Sequence, residues 1–169
     1  MPPREDHESV DDLEPDLDDE DEDEDDEYGD DFELPPAHPD FVRAFPDPLY
    51  DDQDEEFAPF GSDEGWDAMV EIVEDFTPLD PAVTLRDLAE EVLELEDQEF
   101  DETDLDATED SDFAVIGVGF AILRLTGRID AEGRRWLIDA VARQQERFGH
   151  DVEELRRLAV DLAALPVEG

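Results

Sequence analysis

The stretch whose residue types best suit chemistry is EFAPFGSDEGWDAM, residues 56–69. Several carboxylates lie close together around a glycine and a serine, and more acids directly precede them. Carboxylate oxygens are the ligands that Ca²⁺ and Mg²⁺ prefer. The sequence therefore raises the hypothesis of a divalent-cation site, whose ligands would come from Asp51, Asp52, Asp63, Glu64 and Asp67.

The same stretch is also typical of the start of a helix. The Ser62 hydroxyl can accept a backbone N–H of the first turn, and the acids after it match the positive end of the helix dipole. Apolar residues follow at helical spacing from Trp66 to Val73. We favour this interpretation and keep the metal site as the alternative. The complete motif is Pro59, Phe60, Gly61, Ser62, Asp63, Glu64, Gly65, Trp66 and Asp67.

Other chemistries find little support in the sequence. The chain has no cysteine, which excludes a disulfide framework, a thiolate nucleophile and a cysteine-based zinc site. GSDEG does not match G-x-S-x-G, because Gly61 directly precedes Ser62. An EF-hand loop beginning at Asp21 fails at its sixth position, where Asp26 replaces the required glycine. We expect a protein that is not an enzyme, with no cofactor beyond the Ca²⁺ or Mg²⁺ of the alternative.

The charge of the chain is extreme and unevenly distributed. Its 57 acidic and 11 basic residues give a net charge of −46, and every basic residue is Arg. Residues 1–35 carry −19, residues 36–110 carry −25 and residues 111–169 carry only −2. Adaptation to high salt would acidify the whole surface, so the near-neutral last third argues against it. So many carboxylates repel phosphate, and we predict no direct binding to nucleic acid.

The charge and hydrophobic patterns divide the chain into a tail and one helical domain. Residues 1–35 have too few apolar side chains to offset the entropy of ordering, which predicts a disordered acidic tail. Residues 36–165 are predicted to form a single compact all-α domain. In it, 36–61 would be an irregular stretch anchored by aromatic residues, and 62–165 would contain about five helices.

The segment FAVIGVGFAILRLTG, residues 113–127, is apolar nearly all round and is predicted to be the central helix. Gly117 and Gly119 would permit close contact with another helix. A buried strand is the competing interpretation. Ser111 or Asp112 is expected to cap this helix, and Asp151 to cap the last one. The arginines of the last two helices are interpreted as ordinary exposed charges, and pairing with the acids, within the domain or across a dimer, is the alternative: Arg134, Arg135, Arg143, Arg147, Arg156 and Arg157.

Three segments, HPDF, PLYDDQDEEFAPFGSDEGWDAM and more loosely FAVIGVGFAILRLTG, resemble the small bacterial proteins called YfeS-like. The resemblance covers roughly residues 38–75, with a fainter similarity over 113–127, and leaves out the tail and the acidic stretch 96–112. No activity is established for that family. If the motif is a family signature, the resemblance implies that Asp63, Glu64 and Asp67 do more than cap a helix.

These observations predict a non-enzymatic acidic protein that engages a basic protein surface electrostatically. A sharper hypothesis is a decoy that mimics DNA. The net −27 of residues 36–169 lies on a body about 36 Å across, and duplex DNA presents about 21 charges over that length. The alternative is a divalent-metal-binding protein or metal-dependent enzyme that uses Asp63, Glu64 and Asp67. The oligomeric state is left open.

No apolar run approaches the roughly 20 residues of a membrane span. The N-terminus turns acidic at once, without the basic and then apolar pattern of a signal peptide. We therefore expect a cytoplasmic protein with no membrane partner.

Overall fold

The computed structural model describes residues 32–93 and 109–166. In these two ranges the chain forms six α-helices and no strand, which confirms the predicted all-α class. All described residues except Phe32 belong to one compact unit. The predicted tail up to residue 31, and the acidic stretch 96–112 up to residue 108, lie outside the described residues. The helices are α1 (Pro39–Ala44), α2 (Asp63–Glu71), α3 (Leu85–Val92), α4 (Glu109–Thr126), α5 (Ala131–Phe148) and α6 (Glu153–Ala164).

Side-chain caps fix the start of three helices, at Ser62 as predicted and also at Thr84 and Asp130. Ser62, Thr84 and Asp130 each accept the backbone N–H of the residue three positions further on. Asp130 accepts a second N–H, from Leu85 at 2.9 Å, and so holds the start of α3 beside the start of α5. At the other end of α4, the Gly127 N–H donates to the Leu123 carbonyl, as a C-terminal glycine is expected to do.

The structure differs from the prediction in three local features. The stretch expected to be irregular contains α1 and a short 3-10 helix, Pro48–Asp51. The expected cap at Asp151 is wrong, because α6 begins after Val152 without a side-chain cap. The expected cap at Ser111 or Asp112 is also wrong, because α4 begins at Glu109 and includes both residues.

Helix α4 lies at the centre of the domain. It packs against α1, α2, α3 and α5, while α6 packs on α5. Its residues 113–123 are buried on all sides, which confirms the predicted central helix and shows that the strand interpretation is wrong. Tyr50 stacks on Phe120 with ring centroids 5.5 Å apart, and Phe45 meets the same ring edge-on at 5.2 Å. These aromatic rings attach the stretch before α2 to the core.

Candidate interaction surface

The motif at residues 59–67 is the N-terminus of α2. Ser62 Oγ accepts the Gly65 N–H at 3.0 Å, and the side chain of Ser62 is buried. Asp63 and Glu64 occupy the first helical turn, where the dipole favours them. Pro59 and Phe60 are buried beneath the turn. The interpretation of the motif as a helix start is confirmed.

The glycines of this motif are required by close packing. A Cβ at Gly117 of α4 would lie 2.6 Å from the Gly65 Cα, closer than real Cβ atoms approach. A Cβ at Gly61 would collide with the backbone carbonyl of Glu55. The two sequence segments that carry the glycines therefore meet where α2 crosses α4. The predicted close contact at Gly117 is confirmed.

The structure does not gather the five predicted metal ligands. Asp51 Oδ1 accepts Arg124 Nη1 at 2.6 Å, and Asp52 Oδ1 accepts the backbone N–H groups of Asp54 and Glu55 at 2.8 and 3.1 Å. Both carboxylates therefore hold the loop in place. Across residues 32–93 and 109–166, no group of three or more His, Asp or Glu side chains is arranged to hold a metal ion.

Asp63, Glu64 and Asp67 all lie on α2, where Asp63 and Asp67 are exposed and Glu64 is half-buried. Partial burial, and then the negative charge of Asp63, raises the pKa of Asp67 above its usual value. The two carboxylates lie one turn apart, where like charges repel. The charge of Asp67 therefore opposes folding, even though the acids of the first turn match the helix dipole.

The described part of the domain contains an acidic groove of about 410 Å³. The 3-10 helix and the loop after it form one wall, and the first turns of α6 form the other. Five carboxylates and one guanidinium line it together with two apolar residues. The lining residues are Asp47, Pro48, Leu49, Asp52, Glu55, Glu153, Glu154 and Arg157.

Tyr50 secures the first wall to α6. Its hydroxyl donates to Asp161 Oδ2 at 2.7 Å, and only 1% of the residue is exposed. Burial, and then the hydrogen bond to Asp161, raises the pKa of Tyr50 well above its usual value. Tyr50 therefore stays neutral and keeps the two walls at a fixed separation.

Arg124, near the C-terminus of α4, secures the same wall from the opposite side. Its guanidinium is 7% exposed and donates to Asp51 Oδ1 and, at 2.8 Å, to the Pro35 carbonyl. It also lies over the Phe41 ring, 5.8 Å from the centroid. Arg124 thus connects Pro35, Phe41 and Asp51, which all precede α2, to the central helix.

The ion pair that joins α4 to α5 was not predicted from the sequence. Asp112 has no exposed side-chain surface and accepts Nε and Nη2 of Arg143 at 3.0 and 2.8 Å. Arg147 Nη1 lies 3.7 Å from its other oxygen. A usable signal was present: an acid directly before the apolar run, and two arginines four residues apart on one face of α5.

The prediction that the late arginines are merely exposed charges is wrong for most of them. Arg143 and Arg147 pair with Asp112, and Arg157 Nε lies 3.5 Å from Asp47 Oδ2. Arg134 donates to the Leu162 and Ala163 carbonyls at 3.2 and 3.0 Å, at the C-terminal end of α6. Arg134 and Arg143 thus connect helices inside the domain, whereas the Arg157–Asp47 pair is exposed and weak.

No family model matches the chain, and the comparisons with curated proteins and with solved structures found no match either. The resemblance to the YfeS-like proteins therefore stays a prediction. None of the helices in the described ranges is both long and apolar enough to cross a membrane.

Proposed function

We propose that this chain is a non-enzymatic interaction protein whose acidic groove receives a basic segment of a protein partner. The observation that supports this most directly is the lining of the groove, where five carboxylates face one guanidinium. A concave site with an excess of four negative charges favours Arg or Lys side chains. Its volume of about 410 Å³ falls within the range of pockets that bind small groups.

The rest of the chain supports long-range attraction of such a partner. The net charge of −46 generates a field that accelerates encounter with a basic surface and weakens as salt rises. Charge alone would attract any polycation. The rigid groove would add selectivity, because Tyr50 and Arg124 hold its first wall in place.

The partner we propose is a protein rather than nucleic acid, because the groove and the chain both repel phosphate. A DNA-mimicking decoy is the sharper form of the proposal. In that form the basic segment would belong to a protein that itself binds DNA, and bound DNA would compete with this chain for it.

The test uses two triple variants of the full chain with the same net charge. One neutralises the groove (Glu55→Gln, Glu153→Gln, Glu154→Gln). The matched control neutralises exposed acids that do not line it (Glu74→Gln, Asp75→Asn, Glu91→Gln). Binding of a labelled peptide of about nine Arg and Lys residues is measured by fluorescence anisotropy at about 0.1 and 0.5 M salt.

We expect wild type to bind the peptide at low salt and release it at high salt. The groove variant should lose more than about fivefold in affinity, and the control variant less than about twofold, since exposed single charges contribute little. Equal losses in the two variants would show that the groove has no special role. A parallel pull-down from host lysate, with DNA added as a competitor, decides whether the partner is a DNA-binding protein.

A further inference from the structure

Two arginines form ion pairs with acids of the first wall of the groove or next to it, and the two pairs differ in length and exposure. The Arg124–Asp51 pair is 2.6 Å long, and its guanidinium is 7% exposed. The Arg157–Asp47 pair is 3.5 Å long, with exposures of 47% and 35%. An exposed pair at the longer distance contributes little free energy, whereas a buried arginine with several acceptors is costly to detach.

The weaker pair lies in the groove itself, since Arg157 and Asp47 both line it. The Oδ1 atom of Asp47 accepts the Leu49 N–H at 3.0 Å and caps the 3-10 helix. Its Oδ2 atom faces Arg157. One oxygen of Asp47 therefore accepts a backbone N–H, and the other pairs with an exposed arginine that another cation can replace.

We propose that Arg157 is an internal counter-ion of the groove, which the guanidinium or ammonium group of a basic partner displaces from Asp47. This inference rests on the proposed function and concerns the regulation of the same site. In the free protein, Arg157 neutralises one of the five lining carboxylates. On binding, its long side chain swings into solvent and the partner's cation takes its place beside Asp47 Oδ2.

The surroundings of Arg157 allow this exchange without disturbing the fold. Asp161, four residues further along α6, is held by the Tyr50 hydroxyl and keeps its own hydrogen bond when Arg157 leaves. The cap at Leu49 uses the other oxygen of Asp47. The exchange therefore replaces one cation with another and leaves the two walls in place.

Because Arg157 competes with the partner's cation for Asp47, it lowers the affinity of the groove for weak or singly charged ligands. A partner must supply a cation that outcompetes an intramolecular one, which favours segments with several Arg or Lys residues over isolated charges. Removing Arg157 should therefore tighten binding, beyond the effect of removing one positive charge elsewhere.

The test compares Arg157→Gln with Arg43→Gln in the full chain, using the same labelled Arg- and Lys-rich peptide. Arg43 is a matched control because it also forms an exposed ion pair with an aspartate, Asp40, and neither residue lines the groove. We expect Arg157→Gln to raise affinity by about threefold to fivefold and Arg43→Gln by less than about 1.5-fold.

A double-mutant cycle with Asp47→Asn separates displacement from a general charge effect. Asparagine keeps an oxygen for the Leu49 cap, so the 3-10 helix should persist. In the Asp47→Asn background, Arg157→Gln should no longer raise affinity. Equal gains from Arg157→Gln and Arg43→Gln, or an undiminished gain in that background, would overturn the inference while leaving the proposed function intact. If wild type and every variant fail to bind the peptide, the proposed function itself fails.

Discussion

The two described halves of the domain use their charges in opposite ways. Residues 33–93 carry 18 acids and 2 arginines, whereas residues 109–166 carry 11 acids and 8 arginines. In the second half, charges are part of the packing, as in the buried Asp112–Arg143 pair. In the first half, most carboxylates are exposed. Asp47 and Asp51 form ion pairs with arginines of the second half, which lie on α6 and α4. The nearly neutral half thus uses charges in its packing, and the acidic half carries most of the exposed negative charge in the described ranges.

The largest test of this comparison is the change Asp112→Ala. It removes a fully buried carboxylate and leaves Arg143 without its main acceptor. We expect a loss of about 3 kcal/mol in the free energy of unfolding, at the lower end for a broken buried pair, because Arg143 is 31% exposed and can rehydrate. Urea unfolding measures it. The exposed Asp139→Ala is the control, and an equal loss there would mean that Asp112 is an ordinary surface acid.

The contact between the halves is tested by Gly117→Ala. The new methyl group would meet the backbone of Gly65, which cannot move aside without shifting α2. We expect a loss of about 1–3 kcal/mol from overpacking. Gly119→Ala is the comparison variant, because its methyl group would meet side-chain atoms of Leu137 (Cδ1, Cδ2 and Cγ) rather than backbone. If both variants unfold at the same denaturant concentration, the close crossing of α2 and α4 does not specifically restrict the side chain at position 117.

The junction at Tyr50 predicts a dependence on alkaline pH. Because the folded-state pKa of Tyr50 is raised, its contribution is fully present below the unfolded value of about 10 and is lost as pH rises through it toward the folded pKa. The chain has no Lys and no Cys to obscure this titration.

Tyr50→Phe should lose about 1 kcal/mol at pH 8, the value of one hydrogen bond, and should show a shallower decline between pH 9 and 11. Urea unfolding at several pH values measures both. Parallel declines in wild type and variant would show that another group controls alkaline stability.

The smallest effect contrasts one exposed acid from each half. The pKa of Asp67 is raised, so its negative charge opposes folding above the usual range of an aspartate. Asp67→Asn should therefore stabilise the protein by a few tenths of a kcal/mol at pH 7, a gain that disappears below about pH 4.

Asp139→Asn should have the opposite sign, because Arg135 and Arg143 lie one turn away on either side of Asp139. Thermal unfolding at pH 7 compares the two substitutions. Destabilisation by both would remove the contrast between an acidic surface and a charge-balanced scaffold.

Local features of the sequence predicted the helices well. The caps at Ser62, Thr84 and Asp130 act within four residues, so their pattern is visible without the fold. The central helix followed from its uninterrupted apolar run. The short α1 was missed because six residues provide little periodicity, and its helical form depends on Phe41 reaching the core.

The sequence alone determined the all-α class, the main helices and the strong acidic bias, because periodicity, capping and charge are local properties of the chain. Tertiary structure decided which acids are free and which are used. It placed Asp51 beside Arg124, buried Asp112 beneath Arg143, and formed the groove from segments about a hundred residues apart. The role of a carboxylate depends on which cation is within a few ångströms of it, and for those residues only the packing of α4, α5 and α6 sets that distance.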